Sequence, residues 1–562
     1  MSILNNDRLL QYGYFPKELP PCFCTRDLAD QSAFVLKATE CIHPTLSIPL
    51  VYSGFKSETA RRKFAIPNPY HFSRAAAEFV NGESELIRIF NSSKYSLRAP
   101  TTGKPAEGNS YAMKSQTAAD TREAVEHLYQ NNQVEICLDI NAFFDSVYTH
   151  TIPWAIHGVA TAKKRKKDDS LLGNRLDSCM QAMNYGQTNG VLIGNDLSRI
   201  VSEIILCTVD EKIQDKFPHL FCKRFVDDYY IYTKDPNDVQ QIIAFIRKEL
   251  AKYQLTLNEN KIRVNESPFV YNKPWYIEMK QATCLNTNDF LSWLVNEYNK
   301  EKDPALLKYG FKVISVRHFT SDNYWKTIQS RLLNIWVRYP FLADRILPLL
   351  WNNKGKLKKR DLKNAIYSIV EKSLLLGHDL EAIWAIWFIK VFDIQISQEF
   401  ASKVLRSDND LAIIIMLDIL ESNGLAEKPK IKREFKNLLE SIKELDRRDD
   451  GSLGPVDLPW SSHWLLIYEI ERENRFSAIS ETLDIMNQNP FFMKLLRKGI
   501  KFYNPNYSYS DSQFKKKSKE SSRKKKVYEL IESDVCQEAL EKGDPEFAEQ
   551  LIKVIDEVID IY

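Results

Sequence analysis

The sequence predicts an α+β region over residues 1–280, followed by an all-α region of helical hairpins over residues 281–562. Three observations carry this reading. The runs "VEICLDI" (134–140) and "RFVDDYYIY" (224–232) are short, β-branched and aromatic, as strands are. The stretch between them contains "SRIVSEIILCTVDEKI", whose apolar spacing fits an amphipathic helix. From about Asn286 onward the pattern is helical almost without interruption.

Taken in order, the C-terminal helices are "NDFLSWLVNEYNK", "NYWKTIQSRLLNIWVRY", "FLADRILPLLWNN", "DLKNAIYSIVEKSLLLG", "DLEAIWAIWFIKVF", "DLAIIIMLDILESNG" and "REFKNLLESIKELD". Gly, Asn, Asp or Pro stands at their ends, and each reads as an amphipathic helix. Their lengths and short connections fit stacked, HEAT-like hairpins or a plain helical bundle, since no clean repeat period is visible.

With 562 residues, 44% hydrophobic and 27% charged, the chain has enough material for two to four cores. A net charge of +3 neither demands nor excludes nucleic acid. The nine cysteines form no C-x-x-C pair, and "PCFC" (Cys22, Cys24) lacks a partner pair for zinc, which points to a reducing compartment. No signal-peptide pattern opens the chain, and the apolar runs "LAIIIML" and "AIWAIWFI" are too short to span a bilayer, so the expectation is a cytoplasmic protein without a membrane partner. Two basic runs, "KKRKK" in a loop (Lys163, Lys164, Arg165 and the two lysines after them) and "FKKKSKESSRKKK" (514–526), are candidate phosphate contacts. The aromatic lead-in to the second, "FYNPNYSYSDSQF", offers stacking platforms for single strands.

The adjacent pair Asp227–Asp228, in the middle of an apolar hairpin pattern, is either a solvated turn or half of a metal site. Upstream, Asp139 ends the first strand pattern, with Ile140 directly after it and Phe144 five residues on. Phosphoryl transfer with two metals needs carboxylates clamping cations roughly 3.5–4 Å apart, and Mg2+ takes few carboxylates plus phosphate oxygens and water. A strand-end aspartate beside an aspartate pair at a hairpin tip supplies that arrangement. Between them lies the glycine-bearing loop "NGVLIGNDLSRI" (189–200), and "YQLTLNENKIRV" (253–264) follows with Lys261 after a short β segment.

In this order the residues resemble a reverse transcriptase: motif A at Asp139, motif B at Gly190 to Ser198, motif C at Asp227–Asp228 and motif D at Leu257 to Lys261. "VYTHTIPWAIHG", "QYGYFPKELPP", "RRKFAIPNPYHFS" and "GNDLSRI" are similar, more narrowly, to the bacterial abortive-infection (Abi, AbiK-like) reverse transcriptases that exclude phage. The resemblance covers about residues 1–275 by motif. It implies a right-hand palm and fingers (about 40–275), with the helical half replacing or extending the thumb. It also implies Mg2+ (Mn2+ as a substitute) at Asp139, Asp227 and Asp228, and dNTPs as substrates. Phe144 would be the steric gate, with Ile140, Gly194, Lys261 and Arg74 around the nucleotide; Arg61, Arg62 and Arg98 are further finger cations. It further implies DNA synthesis without a template, primed on a protein hydroxyl, a single-stranded DNA product attached to the protein, and a homo-oligomer of three or six. Tyr12, Tyr14 and Tyr52 are among the 26 tyrosines, and the sequence does not choose between them.

The loop departs from the common Gly-x-Pro-Gln-Gly: Leu192 and Ile193 replace the proline and glutamine. Isoleucine cannot hydrogen-bond a sugar or base pair, so checking of a template pair is expected to be weak. Two other readings stay open: templated synthesis with a dedicated RNA partner, and a helical sensor in which the palm is only scaffold. No H-E-x-x-H, Walker A loop or Gly-x-Ser-x-Gly elbow appears.

Overall fold

The two strand patterns lie at the centre of a four-stranded antiparallel sheet, ordered β4-β5-β3-β6, in a computed structural model that describes residues 3–101, 111–113, 132–269, 274–315, 317, 319, 321–445, 457–474 and 484–509. The strands are β3 (Val134–Asp139), β4 (Phe221–Phe225), β5 (Asp228–Thr233) and β6 (Arg263–Glu266). A separate hairpin pairs β1 (Leu50–Phe55) with β2 (Arg61–Ile66). "RFVDDYYIY" is the end of β4, a turn and β5, the hairpin expected with the aspartate pair at its tip. Val226 adopts φ +57°, a conformation costly for a β-branched residue, and turns the chain between β4 and β5.

Side chains alternate across the sheet. Ile136 and Leu138 of β3 and Tyr229 and Ile231 of β5 are buried on one face. On the same pleat as Cys137 and Tyr230, the other face carries Asp139 and Asp228.

The helix Asp196–Lys216, expected to be amphipathic, is buried on every side from Ile200 to Cys207. It is a central helix, and its polar residues Glu203 and Asp210 are buried with it because a strand arginine reaches them. Asn195 caps its start by accepting from the Ser198 amide.

The C-terminal patterns form helices at Thr287–Glu301, Asp322–Arg338, Ala343–Asn352, Lys359–Leu376, Asp379–Val391, Asp410–Ser422 and Pro429–Leu445, joined by Pro304–Ile314 and Gln398–Leu405. Asp379–Val391 and Asp410–Ser422 are buried nearly all round, not amphipathic, because helices and the β1–β2 hairpin cover them from several sides. Among the described residues no helix is long and apolar enough to cross a membrane.

The two halves of the chain interlock. Cys24 N–H donates to Phe502 O (2.9 Å), and Asn504 N–H donates to Cys22 O (2.8 Å). Phe502 and Tyr503 are fully buried and Tyr509 nearly so, packed on Trp464, Tyr468 and Trp351. This part of the aromatic lead-in is core rather than a stacking platform, while the basic run 514–526 lies outside the described residues. "KKRKK" is not all loop: Lys163 and Lys164 end the helix Val159–Lys164, and Arg165 caps it while pairing with Asp168 at 2.6 Å.

Candidate active site

Asp139, the last residue of β3, pairs in register with Asp228, the first residue of β5. Asp227 occupies the turn before it, and its carbonyl accepts from Ile140 N–H at 3.3 Å. Three carboxylates thus gather at one end of one sheet face. Burial first, then the charges of Asp227 and Asp139, push the Asp228 carboxyl up to about 6, and a hydrogen bond with Asp139 favours its protonated form. Asp227 is raised in the same way, by burial and then by Asp139, against the opposing charges of Lys261 and Arg62.

Lys261 lies in a single 3₁₀ turn that follows the bridge of Leu257 to Ile140, as expected of a short β segment, and precedes β6. Its Nζ stands 3.1 Å from Asp139 Oδ2, and Asn258 Nδ2 donates to the same oxygen at 3.1 Å. Sequence reading missed Asn258, although it lies in the quoted "LNENK". Among the described residues no three His, Cys, Asp or Glu side chains are gathered tightly enough to hold an ion by themselves. The donor set is nonetheless of the hard-oxygen kind: carboxylates of which two are raised first by burial and then by neighbouring carboxylate charge. Such a set suits a divalent cation that completes its shell with phosphate oxygens and water.

A buried network aims the turn. Arg224 on β4 is fully buried and donates to Asp210 (Nη2 to Oδ2, 2.8 Å) and to Glu203 (Nη2 to Oε2, 3.0 Å). Its Nη1 donates to the carbonyl of Val226 at 2.8 Å, directly before Asp227. Tyr229 Oη and Ser93 Oγ donate to Asp210, and Ser96 Oγ donates to Glu203. The signal for this network was in the sequence: two acids seven apart, on one face of the helix, and an arginine inside a strand pattern.

The glycine loop is tied to the segment after Asp139. Val191 N–H donates to Phe144 O (2.9 Å) and Gly190 N–H to Val147 O (2.8 Å). Phe144 is half-buried in the short helix Phe143–Ser146. Gly194 has φ +117°, and an added Cβ would lie 2.5 Å from Pro16 Cγ, so only glycine fits there. Its Cα is covered by Pro16 rather than open to a nucleotide.

Other expected residues fall elsewhere. The Ile140 side chain is buried on the face opposite Asp139 and its amide is spent on Asp227, which corrects its place beside a nucleotide. Arg74 donates to Tyr70 Oη (3.0 Å), and Lys163 lies over the Trp154 ring at 5.4 Å; among the described residues neither they nor Lys164 and Arg165 make a contact with the aspartates. Arg61 pairs with Glu381 of the helical half instead of facing the site. Arg98 lies 4.2 Å over Phe225, the register partner of Asp228. Tyr14 and Tyr52 are buried, the first donating its hydroxyl to Pro67 O at 2.6 Å.

Residues 88–281 match the family model described as reverse transcriptase (RNA-dependent DNA polymerase). No curated protein matches the chain. Among solved structures, the chain is similar to apo telomerase from Candida tropicalis truncated of its C-terminal domain, with 13% identity, a TM-score of 0.31, and 43% of this chain and 55% of that one covered. It is similar to telomerase from Candida albicans in complex with a TWJ fragment of telomeric RNA, with 11% identity, a TM-score of 0.29, and coverage of 73% and 65%. Apo telomerase from Candida tropicalis gives 11% identity, a TM-score of 0.30, and coverage of 77% and 74%. The chain thus spans 55% and 65% of the lengths of the first two, and likenesses this weak carry no argument about activity or partner. The family match spans the three aspartates, the glycine loop and Lys261. Residues 88–281 thus form a domain that matches the reverse-transcriptase family model. Domains of this class take nucleotides, bind nucleic acid and use divalent metal ions.

Proposed function

We propose that the chain is a Mg2+-dependent DNA polymerase that adds deoxynucleotides without a template, starting from a protein hydroxyl, as part of anti-phage defence. The observation that carries the transfer chemistry is the register pairing of Asp139 with Asp228, with Asp227 at the turn beside them. These three would hold two divalent cations, Mg2+ or Mn2+, whose chemistry is to lower the pKa of an acceptor hydroxyl and offset charge on the transferred phosphoryl group. Lys261, within 3.1 Å of Asp139, sits where an ammonium neutralises or protonates departing pyrophosphate. Arg62 is the finger cation for the triphosphate, and the Phe144 ring packs beneath the sugar so that a 2′-hydroxyl collides with it.

Template-free synthesis is supported by the glycine loop. Leu192 is buried, and Ile193 offers the site its carbonyl only to Ala65 N–H (3.0 Å), so no side chain there reads a base pair. Priming on protein, the single-stranded product, a trimeric or hexameric assembly and a cytoplasmic setting rest on the abortive-infection resemblance. Tyr14 and Tyr52 are poor acceptors because both are buried. A second reading, templated synthesis with an RNA partner, is favoured by the matched family's RNA-dependent character.

Incubating the purified protein with Mg2+ and dNTPs, with neither template nor primer, separates these readings. A ladder that collapses onto the protein after nuclease, and disappears in Asp227→Ala, is expected. Product that forms only when RNA is added favours the templated reading. Phage protection that survives loss of Asp227 and Asp228 would make the helical half a sensor and the palm its scaffold.

A further inference from the structure

Two stretches that the aspartate site leaves unused meet across a cleft. One wall is the segment quoted as "QYGYFPKELPP" (11–21) with the residues up to 27, and the other is the segment 501–508. The cleft measures about 740 Å³, within the roughly 300–1,000 Å³ of ligand sites, and none of the three aspartates lines it. Backbone pairing joins its walls: Cys24 N–H donates to Phe502 O, Asn504 N–H donates to Cys22 O, and Phe23 bridges to Tyr503.

The lining combines rings with positive charge. Tyr12, Phe15 and Tyr507 are half-buried, whereas the neighbouring Phe502 and Tyr503 are fully buried in the core. Lys17, Arg26 and Lys501 set three cations against one carboxylate, Asp27, which Lys501 already holds at 3.4 Å. Lys17 Nζ stands 3.8 Å over the ring of Tyr111, a lining residue that is 46% exposed. Among the described residues, the Arg26 guanidinium and the side-chain amides of Gln11 and Asn506 have no hydrogen-bond partner, so their donors remain unspent in the cleft.

The same wall backs onto the glycine loop. Pro16 lines the cleft and also covers Gly194, and Gly13 O accepts from Asp196 N–H (2.7 Å) at the start of the central helix. A ligand in the cleft is therefore separated from that loop by Pro16.

Rings beside an excess of cations select an anion that carries flat apolar faces. A single-stranded nucleic acid has both: its bases stack on aromatic side chains and its phosphates pair with cations. In a duplex the bases are already stacked on one another, and an acidic peptide offers charge without flat faces for three rings. The chain's own basic run 514–526 has the wrong sign for this cleft.

We propose that the cleft is a nucleic-acid site apart from the aspartates, holding a single strand by stacking bases on Tyr12, Phe15 and Tyr507 and pairing phosphates with Arg26 and Lys501. That the strand is DNA, the product leaving the aspartates, rests on the transfer reading above.

The test measures binding of a fluorescein-labelled oligothymidylate to the full chain by anisotropy, in EDTA so that nothing is extended. Tyr12→Ala and Tyr507→Ala each weaken binding about tenfold, while Tyr12→Phe keeps it, because stacking needs only the ring. Arg26→Gln, at an exposed position, lowers the slope of log affinity against log salt by about 0.7, one phosphate contact on a single strand. A purely structural role for these side chains would leave that slope unchanged. Should an alanine variant fail to fold, a 5-bromodeoxyuridine oligonucleotide is photo-crosslinked to the parent chain. Crosslinks within 11–27 or 501–508 are expected, and crosslinks found only elsewhere overturn the inference. So does a duplex that binds as tightly as the single strand. Unchanged affinity in folded Tyr507→Ala and Arg26→Gln, alongside loss of incorporation in Asp227→Ala, overturns the inference alone. Incorporation that persists in Asp227→Ala overturns the transfer reading, and a reduced salt slope in Arg26→Gln then still supports the cleft as a single-strand site.

Discussion

Asp228 starts its strand between two residues of its own charge, and the cost of that placement is measurable without any substrate. Its carboxyl is raised from the ordinary value to about 6, so the folded state binds its proton more tightly than the unfolded chain does. Stability from this group is therefore complete below the unfolded pKa near 3.8 and is lost as pH rises through about 6. Asp228→Asn removes the repulsion. In EDTA at neutral pH it is expected to stabilise the protein by about 1 kcal/mol, solvent screening of a partly exposed group included, and to flatten the stability profile between about pH 4 and about pH 7. Urea unfolding across that range checks this; a variant less stable than the parent at neutral pH contradicts it. The same residue illustrates what sequence can reveal. Asp139 and Asp228 were legible as partners because antiparallel pairing is strict, and a single-residue slip would turn one carboxylate into the core. Ile140 was misplaced for the same reason read in reverse: one step beyond Asp139, period-2 alternation puts it on the opposite face.

At the scale of elements, the β4–β5 hairpin is held from beneath. Arg224 joins the central helix to the carbonyl of Val226, so the unfavourable backbone at Val226 and the direction of Asp227 share one anchor. Arg224→Met leaves Glu203 and Asp210 buried without their cation and is expected to cost about 3–5 kcal/mol in chemical unfolding. Nucleotide incorporation should fall more than the folded fraction does, because the turn loses a bond of its own. A loss below about 1 kcal/mol would mean the network is no anchor. Propensity reasoning overlooked this element because it treats Glu203 and Asp210 as the wet side of an amphipathic helix, whereas the helix has no wet side over that stretch. The helices Asp379–Val391 and Asp410–Ser422 misled in the same direction: their sequences are apolar on every face, which marks a covered helix more than an amphipathic one.

Across the whole molecule, local pattern identified the central helix, seven helices of the C-terminal half and both central strands, since periodicity is a property of neighbours in sequence. It was blind to the contacts that join distant parts. Arg61 and Glu381 are 320 residues apart, and Cys22 to Cys24 lie along Phe502 to Asn504. These joins tie the N-terminal segment and the β1–β2 hairpin to the helical half. They also explain why residues that looked free for ligand, such as Arg61 and Tyr503, are already engaged. The claim on which the rest depends is that Asp139, Asp227 and Asp228 act together on a metal-bound nucleotide. The most direct measurement is incorporation of labelled dNTP by the full chain and by Asp139→Asn, each with Mg2+ and with EDTA, and with circular dichroism recorded on the same samples. Incorporation that needs Mg2+ and vanishes in a folded Asp139→Asn is the predicted result, and incorporation that survives the substitution would contradict the account.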